Sequence, residues 1–175
     1  MRLLKIGAIT VPAMAGLEVT EVADPVASRA RYRMADGKLK TREAWSGAWR
    51  VLIELRGLIP PGLTALDWPA GVQVAFTGER AITSASNVIT LPSNRRADAG
   101  SEPAGRAQVG DQWVCTPVAL VGDVATLTPV TGATAYQAVW FPLLTVYSDG
   151  PSLGYARDDD LPHAWRVEAD TEGSA

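Results

Sequence analysis

The chain has 175 residues, 47% hydrophobic and 20% charged, a balance that suits a folded globule and excludes disorder along its whole length. A formal net charge of −3 argues against a general nucleic-acid binder. One cysteine, Cys115, and one histidine, His163, exclude an intrachain disulfide framework and a multi-histidine zinc site within one chain.

Arg2 and Lys5 precede an uncharged stretch from Ile6 to Leu17, where Ala13-Met14-Ala15 has the small-residue spacing of a signal-peptide cleavage site. Gly7, Thr10, Pro12 and Gly16 interrupt that stretch, so the favoured reading is a strand from Arg2 to Ile9 followed by a turn. No run is long enough for a membrane helix, which needs about 18 apolar residues. Val26 to Met34 and Lys38 to Trp45 flank Asp36-Gly37 and predict a long β-hairpin over 26–45 with a two-residue turn. Trp49 to Arg56 alternates: Trp49, Val51, Ile53 and Leu55 share one face, and Arg50, Glu54 and Arg56 the other. Leu63 to Trp68, closed by Pro69, is the best candidate for a single short α-helix.

Val72 to Thr77 and Asn87 to Leu91 read as short strands. Pro92 to Asp111 has almost no apolar residue to hold it, and two readings stay open: a mobile surface loop, or an arm that orders against a partner. Gln112 to Val121 and Val124 to Val130 read as further strands. Ala135 to Tyr147 is apolar on both faces, which predicts a strand covered on both sides by its own domain or by a neighbouring subunit. Pro142 marks a bulge or an edge within it. Trp165, Val167 and Ala169 alternate with Arg166, Glu168 and Asp170 in a last half-buried strand, and 171–175 reads as a frayed tail. Together these elements predict one β-rich domain over residues 1–170. Its class is all-β, antiparallel and β-sandwich-like, with one short α-helix and a long β-hairpin.

Gly150-Pro151-Ser152-Leu153-Gly154 matches the G-x-S-x-G pattern of a nucleophile elbow, with Asp158, Asp159, Asp160 and His163 following in triad order. An elbow needs a strand, a sharp turn and a supporting helix. Tyr155-Ala156-Arg157, three aspartates and Pro162 make a poor helix, so a turn between two strands is the better reading. The same aspartates, with Asp149, could hold a hard cation, but no calcium-loop pattern surrounds them and adjacent carboxylates repel. Cys115 reads as a buried core thiol. No phosphate-binding loop, dinucleotide fingerprint or zinc-protease motif is present, so no cofactor, metal or catalytic residue is expected.

The charge layout carries more information. Residues 29–42 hold Arg29, Arg31, Arg33, Lys38, Lys40 and Arg42 against one acid, Asp36. A two-residue turn sets Arg33 opposite Lys40 and Arg31 opposite Arg42, and like charges so placed destabilise a sheet. Tyr32, Met34 and Leu39 would then form an apolar face that packs on a sheet. The basic face is either merely solvated or docks on an acidic surface. From Ser148 onward acids dominate, and Asp158, Asp159 and Asp160 are the expected acidic counterpart within a homo-oligomer.

Ala35-Asp36-Gly37-Lys38-Leu39-Lys40-Thr41-Arg42, then Trp49-Arg50-Val51-Leu52-Ile53-Glu54-Leu55-Arg56-Gly57-Leu58, then the segment from Leu63 to Trp68 follow in an order that resembles small bacteriophage tail-tip proteins, among them distal tail and baseplate components. Val139-Trp140-Phe141-Pro142-Leu143-Leu144-Thr145-Val146 and His163-Ala164-Trp165-Arg166-Val167-Glu168-Ala169 resemble the end of such proteins. The chain lacks room for the second, carbohydrate-binding-like domain of larger distal tail proteins. The resemblance implies a non-enzymatic virion protein of β-sandwich fold, assembled in the host cytoplasm. It would form a homo-oligomeric ring between the tail tube protein and the baseplate hub proteins. DNA would pass through the ring without being specifically bound, and no membrane would be involved. No catalytic residue is transferred. Two rival readings are a glycan-binding module, suggested by six tryptophans, and a small serine hydrolase using Ser152.

Overall fold

A computed structural model describes residues 2–11, 18–57, 59–154 and 164–172. The strands in chain order are β1 (Lys5–Ile6), β2 (Ile9–Thr10), β3 (Glu18–Arg33), β4 (Leu39–Arg56), β5 (Val72–Ala75), β6 (Arg80–Ser84), β7 (Val88–Thr90), β8 (Ala104–Val109), β9 (Gln112–Thr116), β10 (Val118–Val121), β11 (Val124–Leu127), β12 (Ala133–Trp140), β13 (Leu143–Val146), β14 (Ser152–Gly154) and β15 (Ala164–Asp170). They form four sheets, in the orders β13-β5-β1-β2, β10-β11-β7, β6-β12-β8-β9 and β14-β15-β4-β3. The all-β, antiparallel class expected from the sequence is present.

The short α-helix is not. Leu63–Ala65 is a single 3-10 turn, entered through Gly62 in the left-handed region and left through an extended Leu66. Three residues between two non-helical positions cannot close an α-helical turn of 3.6 residues. The strand expected from Arg2 to Ile9 is two short strands joined at Gly7-Ala8, with Ile6 opposite Ile9. The separate strands expected over 38–45 and 49–56 are one strand of 18 residues. Gln112 to Val121 is split at Pro117, and Ala135 to Tyr147 at Phe141-Pro142, where ladder pairing is interrupted.

Two compact units are distinguished within the chain. Unit 1 comprises Met1–Leu4 and Ala75–Leu144; unit 2 comprises Lys5–Val74 and Thr145–Ala175. Each unit collects separated stretches of chain, so no linker composition announces the division.

Unit 1 holds the core cluster of Ile89, Leu91, Ala107, Ala125, Leu127, Tyr136, Ala138 and Trp140. These residues come from β7 and β11 of one sheet, from β8 and β12 of another, and from Leu91 just beyond β7. The segment 92–111, expected as a loop or arm, contains β8, a strand paired on both sides by β12 and β9. Its inward positions are Gly105 and Ala107, too small to signal a core strand. Gly105 is required by close approach. A Cβ there would lie 2.6 Å from the Val118 side chain and 2.8 Å from the Thr116 carbonyl oxygen.

The rest of that segment is held by two arginines. Arg96 is buried, its side chain 2% exposed. It donates through Nε and Nη2 to the two carboxylate oxygens of Asp98 (2.8 and 2.6 Å), and through Nη1 to the carbonyls of Leu3, Ala75 and Phe76. Arg95 donates to the carbonyls of Pro92 and Gly122 and to Asp123 Oδ1 at 2.6 Å. Cys115, expected in the core, is exposed, because β9 is an edge strand whose residues Gln112 to Cys115 are all exposed.

Unit 2 buries one face of the sheet β14-β15-β4-β3. Leu55 pairs with Trp165, Ile53 with Val167 and Val51 with Ala169, and all six are buried. This is the alternation read from both segments. Trp68 is buried as well, and its indole N–H donates to the Leu63 carbonyl at 3.1 Å. Thr171, expected to fray, is tied down: its hydroxyl accepts from the Trp49 N–H at 2.8 Å, and its N–H donates to the Trp49 carbonyl. Residues 173–175 lie outside the described residues.

Candidate functional site: an exposed two-stranded ribbon

β15 pairs with β4 only over Arg50–Arg56. Beyond that, Val26–Arg33 of β3 and Leu39–Ala48 of β4 pair only with each other among the described residues. The result is a ribbon about 25–30 Å long at the usual rise per residue. An isolated hairpin is marginal in water. This one continues strands whose other half is fixed by the buried row of Val51, Ile53 and Leu55, so its base is anchored. Pro25 sits in β3, the sheet's edge strand, where its missing N–H leaves no donor unpaired within the ladder. Register shifts between Val26 and Arg29 mark a bulge at the ribbon's base.

The tip corrects the sequence reading of its charges. Met34 N–H donates to Lys38 O and Gly37 N–H donates to Met34 O, both at 2.9 Å. The loop is therefore three residues, Ala35-Asp36-Gly37, with Gly37 at φ 81° in the left-handed conformation that closes such loops. Arg33 consequently pairs with Leu39, Tyr32 with Lys40, Arg31 with Thr41 and Ala30 with Arg42. The two-residue turn would have set Arg33 opposite Lys40 and Arg31 opposite Arg42. A slip of one residue moves a strand's side chains to the other face. No two of Arg31, Arg33, Lys40 and Arg42 stand directly opposite each other, and Arg31 and Arg33 lie on the face away from Lys40. The four-residue basic face is thus not formed.

Nor is there an apolar face packed on a sheet. Every residue from Arg31 to Lys40 is exposed, including Tyr32 (45%), Met34 (46%) and Leu39 (60%). Both faces of the tip mix a cation with an apolar side chain. Lys38 pairs with Asp36 at 3.3 Å, and Arg33 Nη1 donates to the Gly37 carbonyl at 3.3 Å. Asp158, Asp159, Asp160 and His163 lie outside the described residues.

Ser152 does not sit in an elbow. It is the first residue of β14, paired with Arg166, and its hydroxyl donates to the Arg166 carbonyl at 3.3 Å. A nucleophile elbow puts the serine on a turn with its hydroxyl raised above the sheet, so the geometry is that of a strand residue. Among the described residues no group of three metal-ligating side chains is present, and no helix is long and apolar enough to cross a membrane. Of the six tryptophans, Trp68, Trp140 and Trp165 are buried, while Trp113 on the edge strand β9 is 42% exposed.

A second charged surface lies on the solvent face of the same sheet, and only register reveals it. Asp24, Arg50 and Asp170 align across β3, β4 and β15, and Glu168 and Arg166 follow along β15. Arg50 and Asp170 approach to 3.5 Å, both well exposed. Arg166 pairs with Glu54 and with Glu168. Beside this row, Arg50, Pro69, Tyr147, Asp149, Glu168 and Asp170 line an open groove. The alternation of Arg166, Glu168 and Asp170 was visible in the sequence; their neighbours across the sheet were not. Comparison with protein-family models and with curated proteins returned no match.

Proposed function

We propose that this chain is a non-enzymatic structural subunit of a bacteriophage tail tip or baseplate. It would form a homo-oligomeric ring that joins the tail tube to the adsorption apparatus and leaves a channel for DNA. The observation that carries the assembly part of this reading is the ribbon 26–48. It extends past its sheet, is exposed on both faces at its tip, and presents cations and apolar side chains together. From Arg31 to Lys40 this surface is open to solvent. An exposed apolar and charged element on a rigid base is a common form of protein–protein contact. The placement in a phage tail rests on the order of hairpin, alternating strand and short helical turn, and on the apolar run before Val146. The sandwich reading belongs here too: the core of unit 1, drawn from two sheets, suits a small β-sandwich.

The glycan-binding alternative needs an aromatic groove, and it is weakened by the burial of Trp68, Trp140 and Trp165. The hydrolase alternative loses its elbow at Ser152. Light-scattering mass of the purified protein, alongside its detection in isolated phage particles, tests the proposal. A discrete oligomer that is also a particle component is expected. A protein monomeric at all concentrations and absent from particles would overturn it.

A further inference from the structure

Taking the assembly reading above as its premise, we infer that the receptor for the ribbon tip is the acidic groove of unit 2 on a second copy of this chain. The interface so formed is heterologous, tip to groove. The tip offers Arg31, Arg33, Lys38 and Lys40 against one acid, Asp36, together with exposed Tyr32, Met34 and Leu39. The groove offers Asp149, Glu168 and Asp170 against Arg50, with Tyr147 and Pro69 supplying apolar wall. On the same sheet face Asp24, the strand neighbour of Arg50, adds a carboxylate and Arg166, paired with Glu168, adds a cation, so carboxylates stay in excess. Charge and apolar character therefore match on the two surfaces.

A copy cannot satisfy its own groove. Leu39 at the tip and Arg50 at the groove are eleven positions apart on one continuous strand, about 35 Å at the usual rise. A two-stranded ribbon can bend at its bulge, but it does not double back over that span. The partner must come from another chain. Because donor and receptor are different surfaces, each copy can give one tip and accept another. Repetition of that contact closes a ring if the rotation permits, and otherwise builds an open filament. The groove's present ion pairs offer little resistance. Arg50–Asp170 and Arg166–Glu168 are exposed, and exposed pairs are weak because water already solvates both charges.

The test is a charge-swap experiment on the full chain, read by light scattering and sedimentation. Arg31→Glu with Arg33→Glu reverses the tip, and Glu168→Lys with Asp170→Lys reverses the groove. Each pair should raise the dissociation constant of the oligomer by at least about tenfold, since like charges are brought together at a contact. Joining all four changes in one chain should restore association most of the way. Circular dichroism checks folding. If the groove reversal unfolds, Glu168→Gln with Asp170→Asn takes its place, with a smaller loss expected. A zero-length carbodiimide should also link Lys38 or Lys40 of one copy to Asp149, Glu168 or Asp170 of another in the wild-type oligomer. Loss of assembly by tip reversal alone, with groove variants unaffected, overturns this inference and leaves the assembly reading intact. A wild-type protein that never associates overturns both.

Discussion

Two arginine pairs in this chain meet opposite fates. Arg31 and Arg33 are exposed on the ribbon, whereas Arg95 and Arg96 are drawn into unit 1, Arg96 almost completely. Both pairs lie in stretches with few large apolar residues nearby, so hydrophobic patterning does not separate them. The difference lies in the carbonyl groups around them. In the ribbon, the carbonyls not used in cross-strand pairing point outward and are spaced along straight strands, so they do not converge on one guanidinium, and Arg33 donates to the loop carbonyl of Gly37. Around Arg96 the chain is irregular, and the carbonyls of Leu3, Ala75 and Phe76 converge on Nη1. A guanidinium carries five donors in a rigid fork, so it can satisfy several such carbonyls and a carboxylate at once. Where strands pair, arginine is left for partners; where loops converge, it replaces a hydrophobic core residue.

The strongest way to break this comparison is Arg96→Ala. It removes the donor shared by the carbonyls of Leu3, Ala75 and Phe76 and by the Asp98 carboxylate, and should cost about 3–5 kcal/mol, measured by urea unfolding. Arg96→Lys should recover only part of that loss, because a point charge cannot span the same acceptors. A cost below about 1 kcal/mol would mean that the guanidinium does not hold the loop.

Gly105→Ala probes the strand that follows. Its new methyl meets the Val118 side chain and the Thr116 carbonyl, and about 1–3 kcal/mol of destabilisation is expected. Unchanged thermal unfolding would show that β8 can move away from its neighbours at no cost.

Trypsin sharpens the contrast without mutation. In the dissociated chain at low concentration, cleavage at Arg31, Arg33, Lys38 or Lys40 should precede cleavage at Arg95 or Arg96, as read by peptide mass fingerprinting over time. Earlier cutting at Arg96 would reverse the assignment of which pair is protected.

The smallest effect on stability is expected from Arg31→Glu with Arg33→Glu, within about 0.5 kcal/mol of wild type for a surface change. Its effect on association should be large, and association should also weaken as sodium chloride is raised, because exposed charges are screened. Oligomers indifferent to both would remove the tip's charges from the interface.

Several features could be read directly because one face of a strand met a core and the other met water. Trp165, Val167 and Ala169, and Val51, Ile53 and Leu55, alternate in the sequence and are buried in the structure as two paired rows. Asp36-Gly37 located the hairpin, although it left the loop length open between two residues and three. That single residue decided whether four cations formed one row, since strand pairing converts a shift of one into an exchange of faces. β8 carries no core signal in the sequence because its inward residues are Gly105 and Ala107, which are buried by neighbours bringing their own bulk to it.

What the sequence by itself determined is the class of structure: period-two alternation, frequent turn residues and β-branched segments leave antiparallel sheet as the way to bury apolar faces while pairing the backbone. It also determined that residues 29–42 are basic and the last strand's solvent face is charged. Tertiary structure decided the division into two units, the burial of Arg96, the exposure of Cys115 and the split of the ribbon's cations between faces. Each of these depends on which distant residues arrive beside a given position. Local pattern reports how a side chain prefers water, but acceptors, close neighbours and register come from chain far away in sequence.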